Sequence, residues 1–234
     1  MRLLLRILIP CVVIVTLAST LYWFMRSSLF DTNNPLLVKE GPIDLLADLD
    51  TNELPEGCGH RKFLTVKPAD YRKTDEDSES VLRCSTNNSA SILARDTEIP
   101  LSSHPILSWR WKVTTPIDSD IDESTKEGDD HPIRFFITFS NENGDRSAME
   151  FIWSNKEYQS GDYKIIGEFY HYVANGLVEN TGKWFDHSVD LRQIYKDIGG
   201  TGTPVLQTIG FFCDSDNTGG SSDAAFANIS LSAQ

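Results

Sequence analysis

A chain of 234 residues has room for one domain with a full hydrophobic core and a short additional segment. The net charge is −13, and because the first 26 residues carry three arginines and no acid, the rest is three charges more negative, at −16. Nucleic acids and anionic lipid surfaces repel a domain of this charge, which excludes both as main partners. Cations, basic proteins and an acidic surface with no specific partner remain open.

The N-terminal segment has the length and the flanks of a membrane anchor. Residues 7–25 are 19 residues without a charge, and a helix of that length rises about 28 Å, close to the roughly 30 Å of a bilayer core. Arg2 and Arg6 precede this segment and acids follow it, so the positive-inside rule places the N-terminus in the cytoplasm and the bulk outside. We predict a single-pass anchor, with a signal peptide cleaved near Ala18 as the alternative.

The sequence divides into three parts. Residues 1–26 form the predicted anchor, residues 27–57 an acidic tether, and residues 58–234 the main domain. The tether contains three prolines and seven acidic side chains. Only residues 43–49 have apolar residues at helical spacing, which predicts one short helix there.

Beyond residue 57, apolar residues recur at every second position, which is typical of strands with one buried face. In residues 106–113, Trp109 and Trp111 share a face with Val113, which favours core positions for both rings. Residues 133–139 and 149–153 alternate in the same way, and Asn143-Gly144 predicts a hairpin turn between them. Further strands are predicted at residues 61–67, 81–84, 91–94, 164–166, 168–174, 205–213 and 225–231.

One helix interrupts the strands. Asp190 is a suitable N-cap, the apolar residues from Leu191 to Ile198 have helical spacing, and Gly199 is a natural stop. Many short alternating strands with one helix predict an all-β fold. We expect an antiparallel jelly-roll β-sandwich with one short helix, preceded by the N-terminal transmembrane helix.

Three cysteines follow the apolar segment: Cys58, Cys84 and Cys213. An oxidising compartment permits one disulfide, and we predict Cys58–Cys84 because Cys213 lies in an apolar strand. Three separate thiols are the alternative. The five histidines are scattered without metal-ligand spacing, so the sequence gives no support for a zinc site.

Two acidic loops lie at predicted strand ends. One loop ends in Asp129 and Asp130 before the strand at 133–139, and the other holds Asp214, Asp216 and Asn217 after the strand at 205–213. Clustered carboxylate and amide oxygens are the ligands that Ca²⁺ prefers, so the two loops predict a calcium site if they converge. Ordinary turn formation by the same residue types is the alternative.

Three side chains are candidates for ligand binding. Tyr170 and Tyr172 share a face with Glu168, opposite Phe169, and therefore predict an exposed aromatic platform, with core or rim packing as the alternative. Arg134 follows the first acidic loop, where it can pair with Asp129 or Asp130 to fix the loop or capture a ligand.

The order of several motifs resembles a known family. The motifs are HPILSWRWKV at 104–113, Gly128-Asp129-Asp130 with Arg134, FIWS at 151–154 and DSDNT at 214–218. Together they resemble the bacterial domain-of-unknown-function family 3047 over roughly residues 63–231. The resemblance implies export, hence a bacterial inner-membrane protein with a periplasmic domain, but no established activity. The C-terminal third also resembles the galactose-binding-like jelly rolls of carbohydrate-binding modules, a likeness of fold that does not fix function.

Motif searches find no nucleophile elbow, phosphate loop or Cys–His signature. We therefore expect a membrane-anchored, extracytoplasmic, non-catalytic accessory or scaffold module, and a subunit of a larger membrane complex is one form of that role. A glycan-binding jelly-roll module is the first alternative. The second is a hydrolase that uses Asp129, Asp130, Asp214 or Asp216, which requires the two acidic loops to lie within about 10 Å of each other.

Overall fold

A computed structural model describes residues 34–76 and 79–234 of the chain. One short α-helix, α1 (Leu191–Asp197), accompanies the strands of these ranges. The strands are β1 (Leu36–Leu37), β2 (Ile43–Asp44), β3 (Cys58–Lys62), β4 (Asp70–Glu76), β5 (Glu79–Asn87), β6 (Ala90–Pro100), β7 (Ile106–Thr115), β8 (Arg134–Ser140), β9 (Arg146–Ser154), β10 (Tyr163–Ile166), β11 (Phe169–Gly176), β12 (Phe185–Asp190), β13 (Val205–Asp214) and β14 (Ser221–Ser232).

The strands form two sheets. The larger sheet has the order β1-β6-β13-β8-β9-β11-β10, with β3 also paired to β6, and the smaller sheet has the order β12-β7-β14-β5-β4, with β2 paired to β14. The predicted sandwich with one short helix is therefore confirmed. The antiparallel prediction is wrong at two pairings, because β1 runs parallel to β6 and β11 runs parallel to β9. The second parallel pair arises because β10 forms the sheet edge beyond β11.

Aromatic side chains fill the space between the two sheets. Trp109 and Trp111 on β7 are buried, as the alternation predicts, and the Trp109 ring lies 5.5 Å from Phe135 on the facing sheet. Phe135 also contacts Phe226 of β14 with ring centroids 4.9 Å apart. Because such rings bury roughly 150–250 Å² each, this aromatic layer accounts for much of the hydrophobic stabilisation of the sandwich.

The predicted hairpin and the predicted helix are both present. Strands β8 and β9 pair antiparallel, and Gly144 in the turn between them has a φ of +81°, a conformation that glycine adopts without strain. At the start of α1, the Asp190 carboxylate accepts a hydrogen bond from the backbone N–H of Arg192. Gly199, just past the helix, has a φ of +87°.

The segment preceding residue 58 packs against the sandwich. Strand β1 pairs with β6 and strand β2 pairs with β14, while Leu45, Leu46 and Leu49 are buried in the main core. The short helix predicted at residues 43–49 is wrong, because Ile43 and Asp44 extend to pair with β14 and a turn follows. Much of the segment assigned to the tether is therefore structural.

No helix within residues 34–76 and 79–234 is long and apolar enough to cross a membrane. The anchor predicted at residues 7–25 lies outside the described residues.

One disulfide joins the two sheets. It links Cys84 of β5 to Cys213 of β13, and Cys58 is a half-buried free thiol. The predicted Cys58–Cys84 bond is therefore wrong. The Cys213 side chain lies in the core among the apolar residues of its strand. The Cys84 side chain enters the same core from the opposite sheet. Cys58 instead pairs in register with Arg95 within the larger sheet.

Replacing Cys84 and Cys213 together with alanine should lower the free energy of unfolding by about 2–5 kcal/mol, because the bond closes a long loop in the unfolded chain. The bonded cysteines are 129 residues apart in sequence. Denaturant unfolding with and without a reductant measures the effect, and Cys58→Ala is the matched control that should retain the response to reductant. Equal stability of the double variant and the oxidised parent would contradict this assignment.

Candidate functional site

A row of side chains crosses the outer face of the larger sheet, opposite the core. The strand register places Phe136 of β8 beside Glu150 of β9, Glu150 beside His171 of β11, and His171 beside Lys164 of β10. Three of these four side chains are ionisable, and all are largely buried. Charged groups in such positions require partners, because an unpaired buried charge costs several kcal/mol.

Arg134, at the start of β8, is the centre of the charge network. Its Nη1 donates to Glu150 Oε2 at 2.7 Å, and its Nη2 donates both to the Asp129 backbone carbonyl at 2.9 Å and to the Asp214 carboxylate. The guanidinium also lies over the Phe212 ring, 4.1 Å from the centroid. The predicted pairing of Arg134 with the first acidic loop is present, and it extends to two further carboxylates.

The Asp129 carboxylate contacts more cationic or ring nitrogens than any other acid of the network. Lys164 Nζ donates to its Oδ1 at 2.9 Å, and His131 Nε2 lies 3.3 Å from the same oxygen. His171 Nε2 lies 3.4 Å from Oδ2. Burial opposes ionisation of Asp129, but the contacts with His131 and His171 and the charge of Arg134 hold its pKa well below the usual range.

Glu150 and the two histidines differ in the direction of their pKa shifts. Burial favours the neutral form of Glu150, but the charge of Arg134 and the contact with His171 together outweigh burial and lower the pKa. For His171, burial alone would lower the pKa, yet the carboxylates of Asp129 and Glu150 raise it. His131 is fully buried, and burial together with the charge of Lys164 lowers its pKa. The site therefore contains one imidazole that favours the charged form and one that favours the neutral form.

The two acidic loops converge. Asp130 accepts hydrogen bonds from the Thr218 backbone N–H and hydroxyl, both at 2.7 Å, and the Asp214 carboxylate accepts one from the backbone N–H of His131 at 2.9 Å. Carboxylate oxygens of Asp130, Asp214 and Asp216 lie within 4.8 Å of one another. The two loops therefore lie within the limit of about 10 Å that the hydrolase alternative requires.

The predicted calcium ligands separate into two groups. Asp130, Asp214 and Asp216 form the cluster, whereas the Asp129 carboxylate points to the histidines and Lys164 and the Asn217 amide donates to the Lys126 carbonyl. The donor chemistry of three clustered carboxylates suits a hard cation. However, Arg134 already neutralises Asp214 and N–H and O–H donors occupy Asp130, so calcium remains a prediction.

A cavity of about 670 Å³ opens above this network. Its apolar wall is formed by side chains from four separate parts of the chain, and its polar floor carries the charges described above. The apolar lining residues are Phe63, Val66, Ala90, Ile166, Phe169 and Phe212; the ionisable lining residues are Lys126, Asp129, Arg134, Glu150, Glu168, His171, Asp214 and Asp216. Mostly apolar walls with a few convergent polar groups are typical of small-molecule sites.

The aromatic platform predicted from Tyr170 and Tyr172 is not the arrangement found. Both tyrosines pair in register with core-facing residues of β9 and pack partly against the main core. Phe169, expected on the buried side, is instead 40% exposed and lines the cavity. The buried and exposed faces of β11 are therefore the reverse of those expected from the sequence.

Several residues of the site are not among those predicted from the sequence. Glu150 and Lys164 are single charges inside otherwise apolar strands, and such a charge on a buried strand is a signal for an internal ion pair. His171 carries no comparable signal, because its role depends on the register that brings it beside Glu150. Phe63 enters from a loop far away in sequence.

The sequence of this chain matches one known protein family. Residues 59–230 match the sequence profile of the family described as protein of unknown function, DUF3047. The chain belongs to this family. The match covers nearly all of the sandwich domain and confirms the resemblance drawn from the motifs. No curated protein matches the sequence.

Solved structures with similar strand arrangements come from several organisms. The xyloglucanase domain of a type three effector from Sinorhizobium fredii, in complex with cellobiose, is 13% identical, with a TM-score of 0.39 over 77% of this chain and 95% of that one. An endoglucanase from Rhodothermus marinus is 8% identical, with a TM-score of 0.40 over 76% and 92%. A tailspike protein of bacteriophage CBA120 is 14% identical, with a TM-score of 0.39 over 76% of this chain but only 19% of the tailspike chain. At these TM-scores, the similarities carry no argument about the function of this chain.

Replacing Asp129 with asparagine should lower the free energy of unfolding by about 3–5 kcal/mol, because the buried Lys164 ammonium then loses its carboxylate partner. Denaturant unfolding measures the change, and Glu127→Gln, an exposed neighbour, is the matched control that should leave stability unchanged. Adding Lys164→Met to Asp129→Asn should recover part of the loss. A double variant no more stable than Asp129→Asn alone would show that the pair is not the cause.

His171 should titrate above its ordinary pKa of 6.5, whereas His60, whose pKa is lowered by burial, should titrate below it. Since the folded-state pKa of His171 is raised, its stabilising contribution is full below about pH 6.5 and is lost as the pH rises through the raised value. NMR titration of the ring protons measures both midpoints. Glu150→Gln should move the His171 midpoint down and leave that of His60 in place; an unmoved His171 midpoint would refute the assigned cause.

Proposed function

We propose that the chain is a saccharide-binding module whose ligand occupies the cavity above Arg134, displayed outside the cytoplasm through residues 7–25. The observation that carries the proposal is the combination of aromatic walls with a fixed polar floor in one cavity of about 670 Å³. The volume lies within the roughly 300–1,000 Å³ of ordinary ligand sites. The accessory role and the membrane attachment rest on the sequence alone.

The walls and floor suit the two surfaces of a sugar ring. Phe63, Phe169 and Phe212 provide apolar faces against which the C–H side of a pyranose can pack. Arg134, Glu150 and Asp214 are held by one another, so their free lone pairs and N–H groups are oriented before a ligand arrives. Preorganised polar groups bind hydroxyls without a large ordering cost.

The charge of the cavity favours neutral over anionic sugars. Five carboxylates line it, against two basic side chains, Lys126 and Arg134, and one histidine. Arg134 is already shared among three acids. An acidic ligand would therefore meet net repulsion at the floor, while a neutral saccharide would not.

Hydrolysis is the second candidate, and one observation favours it. Asp129 and Glu150 both contact His171 Nε2, at 3.4 and 3.3 Å, so the two carboxylates lie close enough for the roughly 5–9.5 Å separations of glycosidases. A saccharide that binds and is returned as shorter products would assign a hydrolase. A saccharide that binds and is recovered intact would assign a binding module.

Phe169→Ala should weaken saccharide binding about tenfold, because one lost ring contact is worth about 1–1.5 kcal/mol. The full chain in detergent is screened on a glycan array with and without Ca²⁺, and the best ligand is then titrated by calorimetry. Tyr163→Ala removes an aromatic that is more exposed than Phe169 but does not line the cavity, and this variant should bind as the parent does. No binding to any glycan under either condition would refute the proposal.

A further inference from the structure

A second, smaller cavity of about 380 Å³ adjoins the first. The two cavities share Glu168 and Phe169 as lining residues. Phe169 packs beside Phe136 on the same outer face, with ring centroids 6.1 Å apart. Because Phe169 lines both cavities, it lies where they meet. A ring at this position can contact a ligand in either cavity.

The two cavities lie one after the other along strand β9. Glu150, Ala148 and Arg146 alternate on the outer face, with Glu150 lining the first cavity and the other two lining the second. At about 3.4 Å per residue, Glu150 and Arg146 are about 14 Å apart along the strand. This length exceeds a single sugar ring.

We propose that the two cavities are successive subsites for one oligosaccharide, with Phe169 between them and Arg146 as a donor in the outer subsite. This inference rests on the proposed function and adds the ligand class: a neutral chain of several sugar units rather than a monosaccharide. Arg146 is exposed and can donate to hydroxyls of the distal units. Ala148 leaves room beside it, and Ile165 supplies an apolar side.

Chain length and two matched variants test the inference. The full chain in detergent is titrated by calorimetry with oligomers of one, two and four units of the neutral sugar that binds best on the glycan array. The four-unit sugar should bind about tenfold more tightly than the monosaccharide, since added hydrogen bonds and ring contacts accumulate. Equal affinities for all lengths would overturn the second subsite while leaving the proposed function intact, whereas no binding at any length would overturn both.

The variants separate the two proposed subsites, because each removes one exposed cation that lines only one of them. Arg146→Ala should weaken binding of the four-unit sugar about threefold to tenfold and leave that of the monosaccharide unchanged. Lys126→Ala, which alters only the first cavity, should weaken both by the same factor. An Arg146→Ala variant that binds the four-unit sugar like the parent, or loses both sugars equally, would overturn the inference.

Discussion

The buried guanidinium of Arg134 determines much of the architecture around the cavity. A charge on the outer face of a sheet is ordinarily solvated, but this one lies beneath two loops and over the Phe212 ring, so carboxylates must replace water as its partners. Glu150 supplies one from the neighbouring strand and Asp214 one from the end of β13. Asp129 completes the set and in turn requires Lys164 and His171. Each added charge brings another element of the sheet into the network.

The need to give buried charges a partner also explains the shape of the acidic segment between β7 and β8. This segment looks like a solvated insertion in sequence, yet Glu123 within it is buried and its carboxylate accepts hydrogen bonds from the backbone N–H groups of Asn155 and Lys156. Its backbone carbonyl accepts a hydrogen bond from Lys164. The insertion is therefore folded back onto the end of β9, where it covers the cations of the site.

The fold could be predicted from sequence where apolar and polar residues alternate over many positions, so that the pattern identifies which face of the strand is buried. Trp109 and Trp111 alternate with polar residues over eight positions, so their burial followed directly, and Asp190 with Gly199 marked both ends of the helix. Strands β4 and β12 were missed because they lie at sheet edges and are rich in polar residues. The phase of β11 was misassigned because both of its faces carry aromatic residues, so composition alone does not identify the buried side.

Part of the site could be predicted because it lies at the ends of strands that the sequence pattern identifies. Asp130 and Asp214 could be expected to meet because each flanks a strand that the sequence revealed, and those strands, β8 and β13, are neighbours. Glu150, His171 and Lys164 depend on the pairing of β9, β11 and β10, including one parallel pair that no local pattern encodes. The disulfide likewise depended on which strands face each other across the core, a property of the two sheets rather than of cysteine spacing.

The position of that disulfide links the maturation of the cavity to thiol chemistry. Cys213 lies between Phe212 and Asp214, one a wall of the cavity and the other a partner of Arg134. Oxidation therefore fixes the end of β13 against the opposite sheet at the point where the network is anchored. Because disulfides persist in oxidising compartments and are rare in reducing ones, this part of the site is complete only where Cys84 and Cys213 can be oxidised. In a reducing environment the chain would have the same residues, but packing alone would hold the end of β13 against the opposite sheet.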